Sequence, residues 1–232
     1  MPSYIPFRRT LRALRRLQRR LALARQIGCN PFRRLVVFDV GANDGGSFAE
    51  FAELFPSSQI YAFEPTPELV AKLHQRFANH ANYHLVPKAV GEKPGKATFN
   101  VAGQGDWGCS SLLEFSSGLE RTWLGREDFK VTHRIEVEII RLDAFVRAES
   151  ISRIDFLHID TQGTDLSVLK SLGSELRNVQ SGVIEVPQSR EVMLYRNQHS
   201  REDAIQFLAE NGFEVWKTVS QQNEDNLFFR QK

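Results

Sequence analysis

Apolar positions along this chain recur with two periods. Residues 35–40 (L-V-V-F-D-V) make a nearly continuous apolar run, and an amphipathic segment from Ser47 to Phe55 follows across a glycine turn. That order predicts a buried strand, a tight loop and a helix. A second run, Gln59–Phe63, closes on Glu64. Pro67–Ala78 then sets Leu69, Leu73 and Phe77 on one helical face, with proline in the first turn. A third strand is expected over Tyr83–Val90, interrupted by Pro87 and closed by Gly91. Lys96–Val101 and Arg134–Arg141 read as strands of a β-rich insertion, and Gly103–Ser111 between them as a loop on the substrate side. Strand and helix alternate again afterwards: Ile154–Asp160, Asp165–Leu172, Gly182–Val186, and Arg201–Glu210 capped by Asn211-Gly212. Phe213–Val219 and Asn226–Arg230 form a closing β pair.

This pattern predicts an α/β, Rossmann-like domain over residues 35–232. In open parallel sheets ligands sit beyond the carboxyl ends of the strands. Asn43, Glu64, Lys88-Ala89, Asp160 and Glu185 all fall at such ends. An acidic residue at the tip of the second strand is placed to hold a ribose through its hydroxyls. A dinucleotide turn needs a second glycine so that backbone can approach a pyrophosphate. Here Gly41 and Gly46 fill the first and third positions, but Asn43 stands at the second. A side chain there obstructs a pyrophosphate and can hydrogen-bond a smaller polar ligand. The turn therefore favours S-adenosylmethionine, which joins adenosine to an amino acid without phosphate, over a nicotinamide cofactor.

Charge divides the chain sharply. The net charge is +2, yet residues 1–34 carry ten arginines and no acid, so the remainder is net acidic. Within that leader Phe7, Leu11, Leu14, Leu17 and Leu21 share one helical face, and arginines cover the rest. Such a helix over residues 5–25 can lie on an anionic membrane surface, or pack its leucines on the domain or on a second subunit. Nucleic acid fits poorly, since aromatic interleaving is absent and the body is acidic. Cys29 and Cys109 lack ligand-like neighbours, so neither a disulfide nor a metal site is expected. Arginines interrupt every candidate signal core, and no apolar stretch reaches the length of a membrane span. The expectation is a soluble cytoplasmic protein, with the leader against the inner face of a membrane if it docks there.

Six motifs carry a family resemblance. V-F-D-V-G-A-N-D-G-G at 37–46, F-E-P at 63–65, K-A-V-G at 88–91, R-L-D-A-F at 141–145, I-D-F-L-H-I-D-T-Q-G-T-D-L-S-V-L-K at 154–170 and D-N-L-F-F at 225–229 resemble the FkbM family of S-adenosylmethionine-dependent methyltransferases. The resemblance implies a mainly parallel seven-strand class I methyltransferase sheet and O-methylation of hydroxyls on sugars, polyketides and related metabolites. The leader lies outside it. Two positions depart from the family pattern: His158, where lysine is frequent, and Gln162, where glutamate is frequent.

The resulting cofactor set is Asp39, Gly41, Ala42, Asn43, Gly45, Ser47, Glu64, Pro65, Lys88, Ala89 and Asp160. Asp39 sits within its strand and is expected to orient the loop. A sugar hydroxyl is a weak nucleophile and needs a base in reach. Asp160 is the first choice and Glu185 the second; His158 is either a further catalytic group or a buried, hydrogen-bonded histidine. Side by side, the two carboxylates are also able to hold a divalent cation, a reading ranked below direct base catalysis. Ser110, Ser111 and Gln162 are expected to border the substrate. Three rivals stay open: a degenerate S-adenosylmethionine-binding scaffold, a nicotinamide oxidoreductase, and an RNA methyltransferase gripping through the leader. A homo-oligomer is compatible with all of them.

Overall fold

The computed structural model describes residues 5–102, 107–126 and 129–232, with side chains described except at positions 5–10, 47 and 107. The first half runs α1 (Ile5–Ile27), β1 (Val36–Val40), α2 (Gly46–Leu54), β2 (Gln59–Phe63), α3 (Pro67–Arg76), β3 (Tyr83–Val86), β4 (Ala89–Val90) and β5 (Gly95–Ala102). The second runs α4 (Leu119–Thr122), β6 (Val131–Ile140), α5 (Leu142–Ala148), β7 (Phe156–Ile159), α6 (Asp165–Ser171), β8 (Ser181–Pro187), α7 (Arg201–Glu210), β9 (Phe213–Ser220) and β10 (Glu224–Gln231).

Seven strands form the main sheet in the order β3-β2-β1-β7-β8-β10-β9. All pairings are parallel except those of β10, which runs antiparallel to both β8 and β9. Alternation along the strands divides the core between the two sheet faces. Val37, Phe156, Val183 and Phe228 face α2 and the end of α1, whereas Phe38, Leu157, Ile184 and Leu227 face α5, α6 and α7. A second sheet, β4-β6-β5, is the expected β-rich insertion.

Pro87 does more than interrupt the third strand. It splits the predicted Tyr83–Val90 run, so β3 joins the main sheet and β4 leaves it to pair with β6. A residue without an amide hydrogen cannot continue the ladder, and the chain changes sheets there. Helix α5 has no counterpart in the expected elements; the strand expected over Arg134–Arg141 ends at Ile140, and Arg141 takes the N-cap position of this helix. Of the predicted Gly103–Ser111 loop, residues 103–106 lie outside the described residues. Trp107–Cys109 form a single 3-10 turn, and Ser111 bridges back to Asn100 on β5.

Helix α1 contradicts the idea that its leucines pack on the domain. Only its last turns enter the core, through Ala24 and Ile27. Leu11, Leu14, Leu17 and Leu21 are exposed. The arginine side faces the protein instead: Arg19 pairs with Glu50 at 3.1 Å and Glu53 at 3.5 Å, Arg16 donates to the Glu53 carbonyl, and Arg20 lies over the Phe55 ring. No described helix is long and apolar enough to cross a membrane.

Candidate functional site

The loop after β1 and the loop after β7 are wedged together. At Gly41, with φ 86°, any Cβ would fall 1.9 Å from the Asp160 carbonyl oxygen. Only glycine fits both that approach and that backbone. Asn43 is also left-handed, at φ 50°, and this turns its backbone N–H onto Oε2 of Glu64 at 3.0 Å. Thr66 N–H donates to the other oxygen, Oε1, at 2.8 Å. The carboxylate at the tip of β2 is thereby clamped between two loops while remaining in a cavity wall. Burial pushes its pKa up to about 7, against the lowering effect of those hydrogen bonds.

The cavity combines Gly41, Asn43, Glu64 and Pro65 with Asp160 and Gln162. Leu69 and Phe99 supply apolar wall, and Ser110 also lines it. Lys88 and Ala89 line a smaller adjoining cavity that shares Gly41, Pro65 and Thr161 with it. Lys88 also pairs with Glu138 at 2.6 Å.

Other expected residues support the cavity from behind. Ala42 is buried and donates its N–H to the Phe63 carbonyl. Gly45 starts α2, packed so closely that a Cβ would meet Leu73 and Phe77. Ser111 is buried, with its hydroxyl donating to the Gln162 carbonyl oxygen at 2.6 Å. The side chain of Ser47 lies outside the described residues.

Asp39 and His158 face each other across β1 and β7, with Asp39 Oδ1 2.9 Å from His158 Nδ1. Neither lines the cavity. His158 instead borders a separate, mainly apolar space beside Phe48, Phe51 and Phe156. Burial opposes its protonation, but the Asp39 hydrogen bond and the nearby charges of Asp160 and Asp165 outweigh that and raise its pKa.

At the end of β7 the polar groups form one connected cluster. Gln162, held left-handed at φ 55°, donates its carboxamide to Asp160 Oδ1 at 2.7 Å and to Glu185 Oε2 at 3.2 Å. Tyr195 completes it. Its hydroxyl lies 2.9 Å from Gln162 Oε1 and 2.8 Å from the Cys109 carbonyl, with one proton for the two acceptors. Burial raises the pKa of Asp160. It raises Glu185 further, helped by the charges of Asp160, Glu224 and Asp165. Burial also pushes Asp165 to about 8 and Glu224 to about 7.

Sequence pattern alone does not mark Asp165, Tyr195 and Glu224 as site residues: Asp165 lies within the 154–170 motif and Glu224 beside the 225–229 motif, a usable signal, whereas Tyr195 carries none.

The donor set fits S-adenosylmethionine. A clamped carboxylate that still faces a cavity can accept ribose hydroxyls, apolar wall suits the adenine, and Asn43 rather than glycine lines the cavity at the second position of the turn.

Residues 39–215 match the Methyltransferase FkbM domain. The chain is also similar to the 2-O-methyltransferase NoeI of Sinorhizobium fredii (strain NBRC 101917 / NGR234), with 29% identity over 140 residues. That match covers 58% of this chain and 56% of the relative, so it spans little more than half of the curated protein. Among solved structures, Aeropyrum pernix fibrillarin in complex with natively bound S-adenosyl-L-methionine aligns with a TM-score of 0.49 at 10% identity, over 84% of this chain and 66% of that one. The precorrin-6y C5,15-methyltransferase of Geobacter metallireducens GS-15 aligns with a TM-score of 0.46 at 13% identity, over 86% and 80% of the two chains. The family match spans most of the chain, including the β1 loop, Glu64 and the Asp160–Gln162–Glu185 cluster: the chain belongs to the FkbM family of S-adenosylmethionine-dependent methyltransferases.

Proposed function

We propose that this methyltransferase methylates a hydroxyl oxygen on a sugar, a glycolipid or a related metabolite. The observation that carries this reading is the Gln162 bridge, which holds two carboxylates of raised pKa beside the cavity. Hydroxyls need such help: they are poor nucleophiles, and a base within hydrogen-bond reach takes the proton as the new bond forms. The similarity to a protein named as a 2-O-methyltransferase supports the same choice of acceptor atom.

S-adenosylmethionine supplies an electrophilic methyl group on a sulfonium sulfur. Glu64 would hold its ribose, and Asn43 with the Gly41–Gly45 backbone its amino-acid end. Asp160 is the base in this reading, because it lines the cavity itself. Glu185 is joined to it by two hydrogen bonds through Gln162, and the charge of Asp160 helps to raise the proton affinity of Glu185. His158 acts on Asp160 through its charge and not by contact with the acceptor. Much of the rate then comes from holding the acceptor oxygen in line with the methyl group.

The test is transfer of labelled methyl from the donor to a panel of free glycans, glycolipids and lipid-linked saccharides, with amine and thiol acceptors alongside. Product carrying an O-methyl ether supports the proposal. Methyl found only on nitrogen, sulfur or carbon overturns it.

A further inference from the structure

We infer that α1 is a docking element for an anionic lipid surface, which its outward-facing leucines enter while Arg15 and Arg25 beside them meet lipid phosphates. The evidence is the orientation of the helix. At 3.6 residues per turn, Leu11, Leu14, Leu17 and Leu21 lie on one stripe, and Arg16, Arg19 and Arg20 lie on the other side. An amphipathic helix on a globular domain ordinarily turns its apolar stripe inward. Here the arrangement is reversed: the arginine side contacts Glu50, Glu53 and Phe55, and the leucine stripe is 39–52% exposed along its length. Every residue from 11 to 19 is exposed, so the domain leaves the leucine side of this stretch open to solvent.

Charge decides what covers the stripe. Residues 1–34 hold ten arginines and no acid, so a second copy of the leader would bring more cations and no partner for them. An anionic bilayer offers phosphates to the exposed Arg15 at the edge of the stripe and to the exposed Arg25 one turn beyond Leu21, and an apolar layer to the leucines. The acidic body is repelled by the same surface, which leaves the leader as the point of contact. RNA would need an outward face built mainly of arginine, whereas Arg16 and Arg19 are engaged with the domain and the outward stripe is leucine.

Sedimentation of the full-length protein with vesicles tests this, using phosphatidylcholine alone and phosphatidylcholine mixed about three to one with phosphatidylglycerol. Partitioning is expected to be about tenfold or more stronger on the mixed vesicles and to weaken steeply with added salt. Leu14→Gln combined with Leu17→Gln is expected to abolish it. Both positions are exposed, so the circular dichroism of the domain is expected to stay unchanged. Equal binding to both vesicles, or none, overturns the inference. So does retained binding by the double variant. Light scattering that shows a dimer dispersed by the double variant, without vesicle binding, assigns the stripe to self-association instead. Binding to polyuridylate in place of vesicles assigns the helix to RNA; both outcomes also overturn the inference.

Discussion

The carboxamide nitrogen of Gln162 lies 2.7 Å from Oδ1 of Asp160 and 3.2 Å from Oε2 of Glu185, so one neutral donor bridges two carboxylates. Gln162→Glu replaces that donor with a third negative charge and raises the proton affinity of its neighbours. The acidic limb of the kcat–pH profile is expected to move up by about one pH unit. Gln162 is a positioning residue, and an unchanged profile would remove it from that role.

If Asp160 takes the hydroxyl proton, Asp160→Asn costs about 10²–10⁴-fold in kcat. Glu185→Gln is expected to give a smaller loss, because the residue acts through Gln162. Glu185 does not line the cavity that holds Glu64, so the affinity of Glu185→Gln for S-adenosylhomocysteine is expected to match the wild type. Calorimetric titration separates the two effects, and a variant crippled in binding alone would count against the base assignment.

Glu64 makes cofactor affinity depend on pH. Its pKa is about 7, so ribose hydroxyls meet a protonated carboxyl at lower pH and an acceptor-only carboxylate above it. Affinity for S-adenosylhomocysteine is expected to rise between about pH 6 and about pH 8. Glu64→Gln should flatten that rise and weaken binding about 10- to 100-fold, the range for hydrogen bonds to a charged group. In the unliganded protein the sign is opposite. The folded state binds the extra proton between the ordinary value of 4.5 and about 7, so this group's contribution to stability falls as pH rises through that window.

The Asp39–His158 pair predicts a second pH signature. His158 has a raised pKa when folded, so its stabilising contribution is complete below the ordinary value of 6.5 and is lost as pH rises through the folded value. Asp39→Asn is therefore expected to lower Tm more in acid than in alkali. Thermal melts across that range check it; a gap that is constant with pH would show that the pair does not gain a proton on folding.

Gly41→Ala tests the wedge between the β1 and β7 loops. The added methyl must displace the Asp160 carbonyl, and alanine is strained at φ 86°. Backbone strain of this kind costs about 1–3 kcal/mol, before any loss from the displaced loop. Reduced Tm together with weakened S-adenosylhomocysteine binding is the expected result. Normal binding would mean that the first loop does not shape the cavity.

Local patterning was enough to place β1, the glycine turn, α2 and Glu64, because strand burial, turn geometry and a strand-tip carboxylate are each written within a few adjacent residues. The same period drew the two faces of α1. Neighbours along the chain could not say which face meets the domain; Glu50, Glu53 and the core around Ala24 and Ile27 decided that. Nor could they show that Pro87 moves the chain into a second sheet. The polar cluster was legible only in pieces. Asp160 and Gln162 stand side by side in a motif, but Tyr195 and Glu224 join them because β10 returns antiparallel beside β8 and the segment after β8 folds back over the strand ends. Periodicity reports which side of its own element a residue faces. Which distant residue comes to share that side is a property of how the sheet closes, and burial within the closed structure then raises the proton affinity of the carboxylates gathered there.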